Sequence, residues 1–369
     1  MVSFHMVQLQ GTPYEIGFGH GSKCRDQVLA SIRYYQKAFA ANGVSWEDGK
    51  RLGLTYESHI AVYAPQLLEE MRGIADGAQV SYEDILAMNC RSEMTRMKVG
   101  EKLAGLTAGG CTAFAVMADK TVDCKTYHAQ TWDFGTMQRD AMVVLNILPQ
   151  GTSPALFLIT EGGLVGGKGM NACGMSLTLN ALRTSGVPEG VPLHVVMRKM
   201  LESHTIAEAF HWATCAPCAA AGCITIAIDN AALAIELVPG DMDVLTPSGG
   251  ILVHTNHVLS TRFRNIEDLG RRNLAGGSSF LRYSRCHALL SRQTPFTLAD
   301  IQAVMCDHVG YPKSICMHAD ESLPLAEQTS SNYAVVFDLT DRVIHLCAGN
   351  PCQGAYTQFR VQTEETTHL

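Results

Sequence analysis

The hydrophobic pattern of this chain changes period once, and the change falls on a cysteine. In the first hundred residues apolar side chains recur at intervals of three and four. Val28, Ile32, Tyr35 and Phe39 mark one face of a helix expected over 22–41, and the pattern resumes over 52–75 with Pro65 dividing two helices. Ser45 opens a capping-like sequence, and Ser81-Tyr-Glu-Asp84 repeats it ahead of a third helix through Ile85, Leu86 and Met88, running to about Met97. From Cys111 onward the period is two. Strands are expected at 111–117, 126–133, 141–148, 155–160, 174–180, 224–229, 233–238, 251–253, 334–339 and 343–347, with helices at 192–203, 206–214, 279–291 and 298–306. Short turns between consecutive strands imply antiparallel sheets, and helices before, between and after them imply covering layers, an α+β chain. We divide it into a helix-rich segment, residues 1–110, and a β-rich core, residues 111–369.

Composition removes several classes of function. At 369 residues the chain can bury one large core or two modest ones. Hydrophobic residues make up 47% and charged residues only 17%, which fits a compact, well-buried enzyme rather than a disordered protein. A net charge of −7, with no basic run longer than Arg271-Arg272, offers nothing to a phosphate backbone, so nucleic acid is not an expected partner. No window holds the roughly eighteen apolar residues of a membrane span, and the opening Met1 to Gln8 lacks the form of a signal peptide. The expectation is a soluble, cytoplasmic protein with no membrane partner. The terminal Thr367-His368-Leu369 departs from the Ser-Lys-Leu address but leaves the peroxisome as the other compartment to consider. Thirteen cysteines, odd in number and set among apolar residues, read as reduced thiols.

The change of period coincides with Gly109-Gly110-Cys111-Thr112. Glycine enters positive-φ backbone that other residues resist, so the Gly110 carbonyl is expected in a strained turn, open to the Cys111 thiol. Attack there would turn the peptide into a thioester, water would release it, and Cys111 would become a chain terminus. Its α-amine would titrate near neutrality beside the thiol, placing base and nucleophile on one residue. A hairpin turning about Thr121-Val122-Asp123 sets Cys111 opposite Asp133 on one face, where the carboxylate can hold the new ammonium or orient the thiol; a slip of one residue would destroy the pairing. His254-Thr-Asn-His257 follows an apolar strand, where Asn256 can offer an N–H to the oxyanion formed when Cys111 attacks a carbonyl. Each has an ordinary alternative: Cys111 as a small buried hydrophobe, Asp133 as a turn residue, Asn256 as a loop cap.

Other motifs carry less. Gly162, Gly167 and Lys168 have phosphate-loop spacing, but Gly169 stands where a hydroxyl must bind magnesium and a strand pattern follows where a helix is needed. Cys215-Ala-Pro-Cys218 with His211 lacks a second cysteine pair, and Cys306-Asp-His308 and Cys286-His287 read as isolated structural pairs. No metal site and no cofactor are expected.

Taken together and in order, several segments resemble the acyl-coenzyme A:6-aminopenicillanic acid acyltransferase (isopenicillin N acyltransferase) family. They are Gly11-Thr-Pro-Tyr-Glu-Ile-Gly17, Met71-Arg-Gly-Ile-Ala75, Gly110-Cys-Thr112, Tyr127-His-Ala-Gln-Thr-Trp-Asp133, Gly169-Met-Asn-Ala-Cys-Gly174, His254-Thr-Asn-His257, Tyr311-Pro-Lys-Ser-Ile-Cys316 and Asp338-Leu-Thr340. The resemblance implies a four-layer αββα N-terminal nucleophile hydrolase fold and self-cleavage into two associated chains, with residues 1–110 retained as a helical pro-segment subunit. It implies Cys111 as cleavage site and nucleophile, Asp133 as its charged helper and Asn256 in the oxyanion hole. The expected reaction is amide hydrolysis or acyl transfer on a small amide or acyl thioester. Two positions depart from the family pattern: Thr131 alters the wall beside the nucleophile, and Met317 stands where an arginine associated with Asp133 is common. We read both as substrate-binding positions and expect Met317 to leave Asp133 less tightly paired, in a pocket for less anionic groups. The rival expectations are a catalytically idle, single-chain binding protein of the same fold and, as a weaker alternative, a metal or redox protein that uses the cysteine–histidine pairs.

Overall fold

Helical structure begins earlier than the apolar spacing indicates. The structure is a computed structural model and describes residues 4–41, 43–94, 110–182, 189–215, 217–263, 277–292 and 295–363. After strand β1 (His5–Gly11), helix α1 (Pro13–Lys23) opens on a capping box: the Glu15 N–H donates to Thr12, and the Thr12 N–H donates to the Glu15 carboxylate. The first helix was expected only from residue 22, because glycines at 17, 19 and 21 are poor helix formers. Packing overrides that propensity. Helix α1 lies so close to α5 (Pro65–Ala78) that a Cβ on Gly17 would sit 1.9 Å from the Glu70 carbonyl oxygen, and one on Gly73 would sit 2.2 Å from that of Tyr14. Helices α2 (Arg25–Ala41), α3 (Trp46–Leu54), α4 (Glu57–Tyr63), α6 (Tyr82–Asn89) and α7 (Arg91–Met94) complete this part, with Ser45 and Ser81 as side-chain caps. The expected continuation to Met97 lies outside the described residues.

Beyond residue 110 the strands are β2 (Cys111–Val116), β3 (Tyr127–Gly135), β4 (Met142–Pro149), β5 (Leu156–Glu161), β6 (Lys168–Asn171), β7 (Ser176–Ala181), β8 (Gly222–Ile228), β9 (Ala231–Val238), β10 (Asp241–Leu245), β11 (Ile251–His254), β12 (Thr329–Asp338), β13 (Val343–Ala348) and β14 (Thr357–Phe359). Helices α8 (Leu193–Leu201) and α9 (Ile206–Thr214) follow β7, and α10 (Gly277–Leu290) and α11 (Leu298–Met305) precede β12. Among the described residues these strands form an eight-stranded sheet, β1-β4-β5-β6-β7-β8-β9-β10, and a six-stranded sheet, β11-β2-β3-β12-β13-β14. Every ladder is antiparallel except β1 with β4. Strand β1 is thus an edge of the larger sheet, and the helix-rich segment shares its core with the β-rich remainder.

Side chains along each strand alternate between layers. Val143, Leu145, Leu156 and Leu158 pack against the N-terminal helices together with α8 and α9, whereas Val144, Phe157 and Ile159 face the second sheet. Cys111, Ala115, Trp132, Tyr333 and Val335 meet them between the sheets. The far face of the second sheet, with Phe114, Tyr127, Ala129 and Ala334, is covered by Cys286 and Leu290 of α10 and Ile301 and Met305 of α11. The order is helix, sheet, sheet, helix, the four-layer α+β architecture.

The glycine contacts separate packing from propensity. Gly73→Ala drives a methyl into a backbone carbonyl and should cost roughly 1–3 kcal/mol or more. In Gly19→Ala the nearest atom, 2.9 Å from the new Cβ, is the movable Leu9 Cδ2, and the helix gains about 1 kcal/mol of propensity. Urea unfolding of the two variants should show a clear loss for the first and little change for the second.

Candidate active site

Strand β2 lies between β11 and β3, so the backbone at its start is bonded from both sides. Against β3 the register sets Cys111 opposite Trp132. The expected pairing of Cys111 with Asp133 is therefore off by one residue. It is Gly110 that lies level with Asp133, whose N–H donates to the Gly110 carbonyl at 2.9 Å. The slip comes from the connection, which is not a tight hairpin: it contains a 3-10 turn at Ala118–Lys120, bonds between its backbone and Phe296, and a left-handed Cys124. Consequently the Cys111 thiol points between the sheets with Trp132, and Gly110, Thr112, Thr131 and Asp133 belong to the helix-covered face. Thr131 is buried across from Thr112, on the other side of the sheet from the thiol.

Gly110 does not adopt the left-handed backbone expected of it and meets a steric demand instead. A Cβ on it would sit 2.7 Å from Met317 Cε and 3.1 Å from Arg282 Nη2, so the backbone approaches these side chains as only glycine can.

The other edge of β2 brings in Asn256. Ladder β11–β2 pairs His254 with Ala113, and continuing that register past the strand end brings Asn256 level with Cys111. The Cys111 N–H donates to Asn256 Oδ1 at 2.7 Å, and Asn256 Nδ2 donates to the Ala181 carbonyl at 3.1 Å. The contacts of Asn256 in the intact chain thus run through its oxygen to the Cys111 nitrogen, leaving one Nδ2 hydrogen beyond the bond to Ala181. Ser279, in the first turn of α10, fixes this loop by accepting from the Asn256 N–H at 2.8 Å and bonding His257 Nδ1 at 2.9 Å.

One turn along α10 stands Arg282, which the sequence reading did not single out. Its Nη1 donates to the Cys111 carbonyl at 2.7 Å and to Thr112 Oγ1 at 3.1 Å, and its Nη2 donates to Asn256 Oδ1 at 2.9 Å. Asn180, at the end of β7, donates to the same Cys111 carbonyl at 3.0 Å. A signal for Arg282 was present: Ser279, Arg282, Cys286 and Leu290 follow helical spacing and are all buried, so a charge sits on the apolar face of α10. For Asn180 the signal is weaker, since it continues the polar face of Ser176 and Thr178 in an alternating strand.

Burial governs the charges. It pushes the Cys111 thiol up to about 11, with Asp133 adding to the rise and Lys168 and Arg282 opposing it. It also raises the Asp133 carboxyl to about 7, against the pull of Arg282 and of the Ser331 hydroxyl, which donates to Oδ1 at 2.6 Å. Asp133 Oδ2 has no partner among the described residues. Asp133 therefore does have a cationic neighbour, supplied by Arg282 rather than by position 317. Met317 is buried, accepting from Ser331 N–H at its carbonyl and donating its own N–H to Ser331 Oγ. Lys168, noted in sequence only in a rejected phosphate loop, opens β6 and lays its ammonium 4.5 Å from the Trp132 ring centre, on the thiol's side; burial lowers it to about 8. Asn171 of the same stretch is a turn holder, donating to the Leu201 and Ser203 carbonyls.

Residues 120–353 match the sequence profile of the family described as acyl-coenzyme A:6-aminopenicillanic acid acyl-transferase. The acyl-coenzyme A:6-aminopenicillanic-acid-acyltransferase 40 kDa form of Emericella nidulans is 29% identical over 359 residues, spanning 94% of this chain and 92% of that protein. An uncharacterized protein of Archaeoglobus fulgidus is 26% identical over 152 residues, 35% of this chain and 24% of its own. Among solved structures, a mutant of conjugated bile acid hydrolase from Clostridium perfringens aligns with a TM-score of 0.44 at 10% identity, over 68% of this chain and 97% of that one. Penicillin V acylase from Agrobacterium tumefaciens aligns with a TM-score of 0.40 at 13% identity, over 64% and 83%. The profile match spans most of the chain and, with the long alignment to the Emericella nidulans protein, places this chain in the acyl-coenzyme A:6-aminopenicillanic acid acyltransferase family.

Proposed function

We propose that this chain is a self-processing cysteine amidohydrolase or acyltransferase that cleaves its own Gly110-Cys111 bond and then carries acyl groups on the Cys111 thiol. The observation that carries the proposal is the hydrogen bonding of that peptide and of the one that follows it. The Gly110 carbonyl accepts from Asp133 N–H, the Cys111 N–H is held by Asn256, and the Cys111 carbonyl accepts from Arg282 and Asn180. When Sγ attacks the Gly110 carbon, the growing oxyanion already has a preorganised donor, and the leaving nitrogen already has a fixed neighbour. Transfer of the acyl group from nitrogen to sulfur, then water attack on the thioester, leaves Gly110 with a carboxylate and Cys111 with an amine.

The amine carries more hydrogens than the amide it replaces. Asn256 Oδ1 takes one, and the unpaired Asp133 Oδ2, across the strand pair from the departed Gly110, is the acceptor at hand for another. The same amine then takes the thiol proton as general base. For an incoming acyl donor, the remaining Asn256 Nδ2 hydrogen stabilises the oxyanion. The substrate class is a small amide or an acyl thioester, in keeping with the Emericella nidulans relative, whose name makes it an acyltransferase between acyl-coenzyme A and 6-aminopenicillanic acid. The retained N-terminal segment stays bound through β1 and its helices, and the reaction as written uses no cofactor. An idle, single-chain protein of the same fold is the rival reading.

Denaturing intact-mass spectrometry of wild type and Cys111→Ala decides between them. We expect wild type to give two chains, one ending at Gly110 and one beginning at Cys111, and Cys111→Ala to remain whole. A single uncleaved wild-type mass that persists on long incubation would transfer the case to the idle protein.

Asp133 makes a second expectation with a definite sign. Its folded carboxyl titrates near 7, above the unfolded value of about 3.9. Between those values the unfolded chain has released a proton that the folded chain retains, so the contribution of Asp133 to stability is largest at low pH and falls as pH rises toward 7. In a Cys111→Ala background, which keeps the chain whole, the stability of Asp133→Asn relative to Asp133 should therefore rise from pH 5 to pH 8. A flat difference in urea unfolding would mean that Asp133 is ionised throughout.

A further inference from the structure

Away from the thiol, a second group of side chains converges on one point. His308 comes from the turn after α11, Cys316 and His318 from the segment leading to β12, and Cys352 from the turn after β13. Their donor atoms all lie within 4.8 Å of one another. His308 Nε2 is 3.1 Å from His318 Nε2, the two sulfurs are 3.4 Å apart and unbonded, and His318 Nε2 is 3.5 Å from Cys316 Sγ and 3.3 Å from Cys352 Sγ. Zinc bound tetrahedrally to two thiolates and two imidazoles has donor–donor edges of about 3.3–3.8 Å. Four of the six edges fall at or slightly inside that range, and the two from His308 to the sulfurs lie within 4.8 Å, so an ion would draw His308 into place with a small movement of its ring.

We propose that these four residues form a structural Cys2His2 site for a zinc-class divalent cation. Two thiolates and two neutral imidazoles balance the charge of such an ion, and binding releases the two thiol protons to solvent. Soft sulfur with imidazole in tetrahedral array selects zinc over the oxygen-seeking magnesium and calcium. All four positions are filled by protein, which makes the site a clamp rather than a reaction centre. His308 and Cys352 are exposed, which provides an entry path, and Cys316 is buried. The Cys316 sulfur also accepts from Asn350 Nδ2 at 3.7 Å, and Asn350 is held in turn by Arg139 Nη2 at 2.9 Å, the outer support that metal-bound thiolates take.

The clamp bears on the candidate active site through Met317, which lies between two of the ligands. Its carbonyl accepts from Asn350 Nδ2 at 2.6 Å and its N–H donates at 2.9 Å to Ser331 Oγ, the hydroxyl that bonds Asp133. Its side chain stands against Gly110. An ion at this site would fix Cys316 and His318, and thereby the segment that positions both Met317 and Ser331. The sequence pairs His308 with Cys306; the fold pairs it instead with residues eight and more positions onward.

The experiment uses untagged, full-length protein produced with added zinc and purified under reducing conditions, with metal content read by plasma mass spectrometry. We expect about one zinc per chain, retained through dialysis against a moderate chelator, and the same content in Cys111→Ala, which separates this outcome from that of chain cleavage. His308→Ala/Cys352→Ser, altered at two exposed positions, should lose the ion under the same dialysis. Metal-free wild type titrated with Co2+ should develop tetrahedral d–d bands and a thiolate-to-metal absorption, the latter weakened in Cys352→Ser. Absence of zinc together with absence of the cobalt bands in reduced wild type overturns the proposal, as does full zinc content in the double variant. A Cys316–Cys352 disulfide in the isolated protein whose reduced form binds neither metal overturns it as well.

Discussion

The strand that starts at Cys111 is hydrogen-bonded along both edges and covered on both faces, and this confinement dictates what surrounds it. Polar backbone groups taken out of water must find partners inside the protein. Around Gly110 and Cys111 they find them in three of the four layers. Asn180 comes from the eight-stranded sheet, Asp133 and the loop carrying Asn256 from the six-stranded sheet, and Arg282 from the outer helix. No single supersecondary unit could assemble the set, so the stacking of the two sheets and the outer helix is the condition for the site.

Which parts of this were legible in the sequence follows from the range of the forces involved. The change from helical to strand periodicity at residue 111 is local, and it located most strands within a few residues. Helix α1 was hidden because Gly17 and Gly73 serve a contact between helices far apart in sequence, and a propensity scale counts their cost without the close approach they permit. The β2–β3 register was read one residue out. A two-residue period fixes which residues alternate, but only the shape of the connection fixes which face each other, and the 3-10 turn and the anchor to Phe296 had no clear sequence mark. Strands β6, β10 and β14 are short and partly polar, so their assignment depends on neighbours rather than on pattern.

Arg282 supplies from another element the positive charge that Met317 lacks. The resemblance draws attention to Met317, where an arginine is common, and suggests a site short of positive charge. The structure instead directs a guanidinium from α10 to the Cys111 carbonyl, Thr112 and Asn256, and its charge acts on Asp133. An arginine at 317 would share the space around Gly110 with Arg282, and two desolvated cations there would repel. A methionine fills the same volume without that conflict. That the two side chains meet at Gly110 is visible only once α10 is laid on the sheet.

The charges also bear on how cleavage, if it proceeds as proposed, would change the site. Before it, burial raises both the thiol and the Asp133 carboxyl, with Arg282 and Lys168 acting against the rise of the thiol and Arg282 against that of Asp133. Cleavage adds an amine to this setting. Two neighbouring cations disfavour its protonation, and Asp133, once ionised, favours it. On the proposed mechanism these opposed influences would act on the amine that accepts the thiol proton and returns it to a leaving group. A site with Asp133 but no Arg282 would hold a permanent ammonium, a good ion pair and a poor base. On the proposed mechanism, the buried arginine on the apolar face of α10, costly as packing, would have a chemical reason.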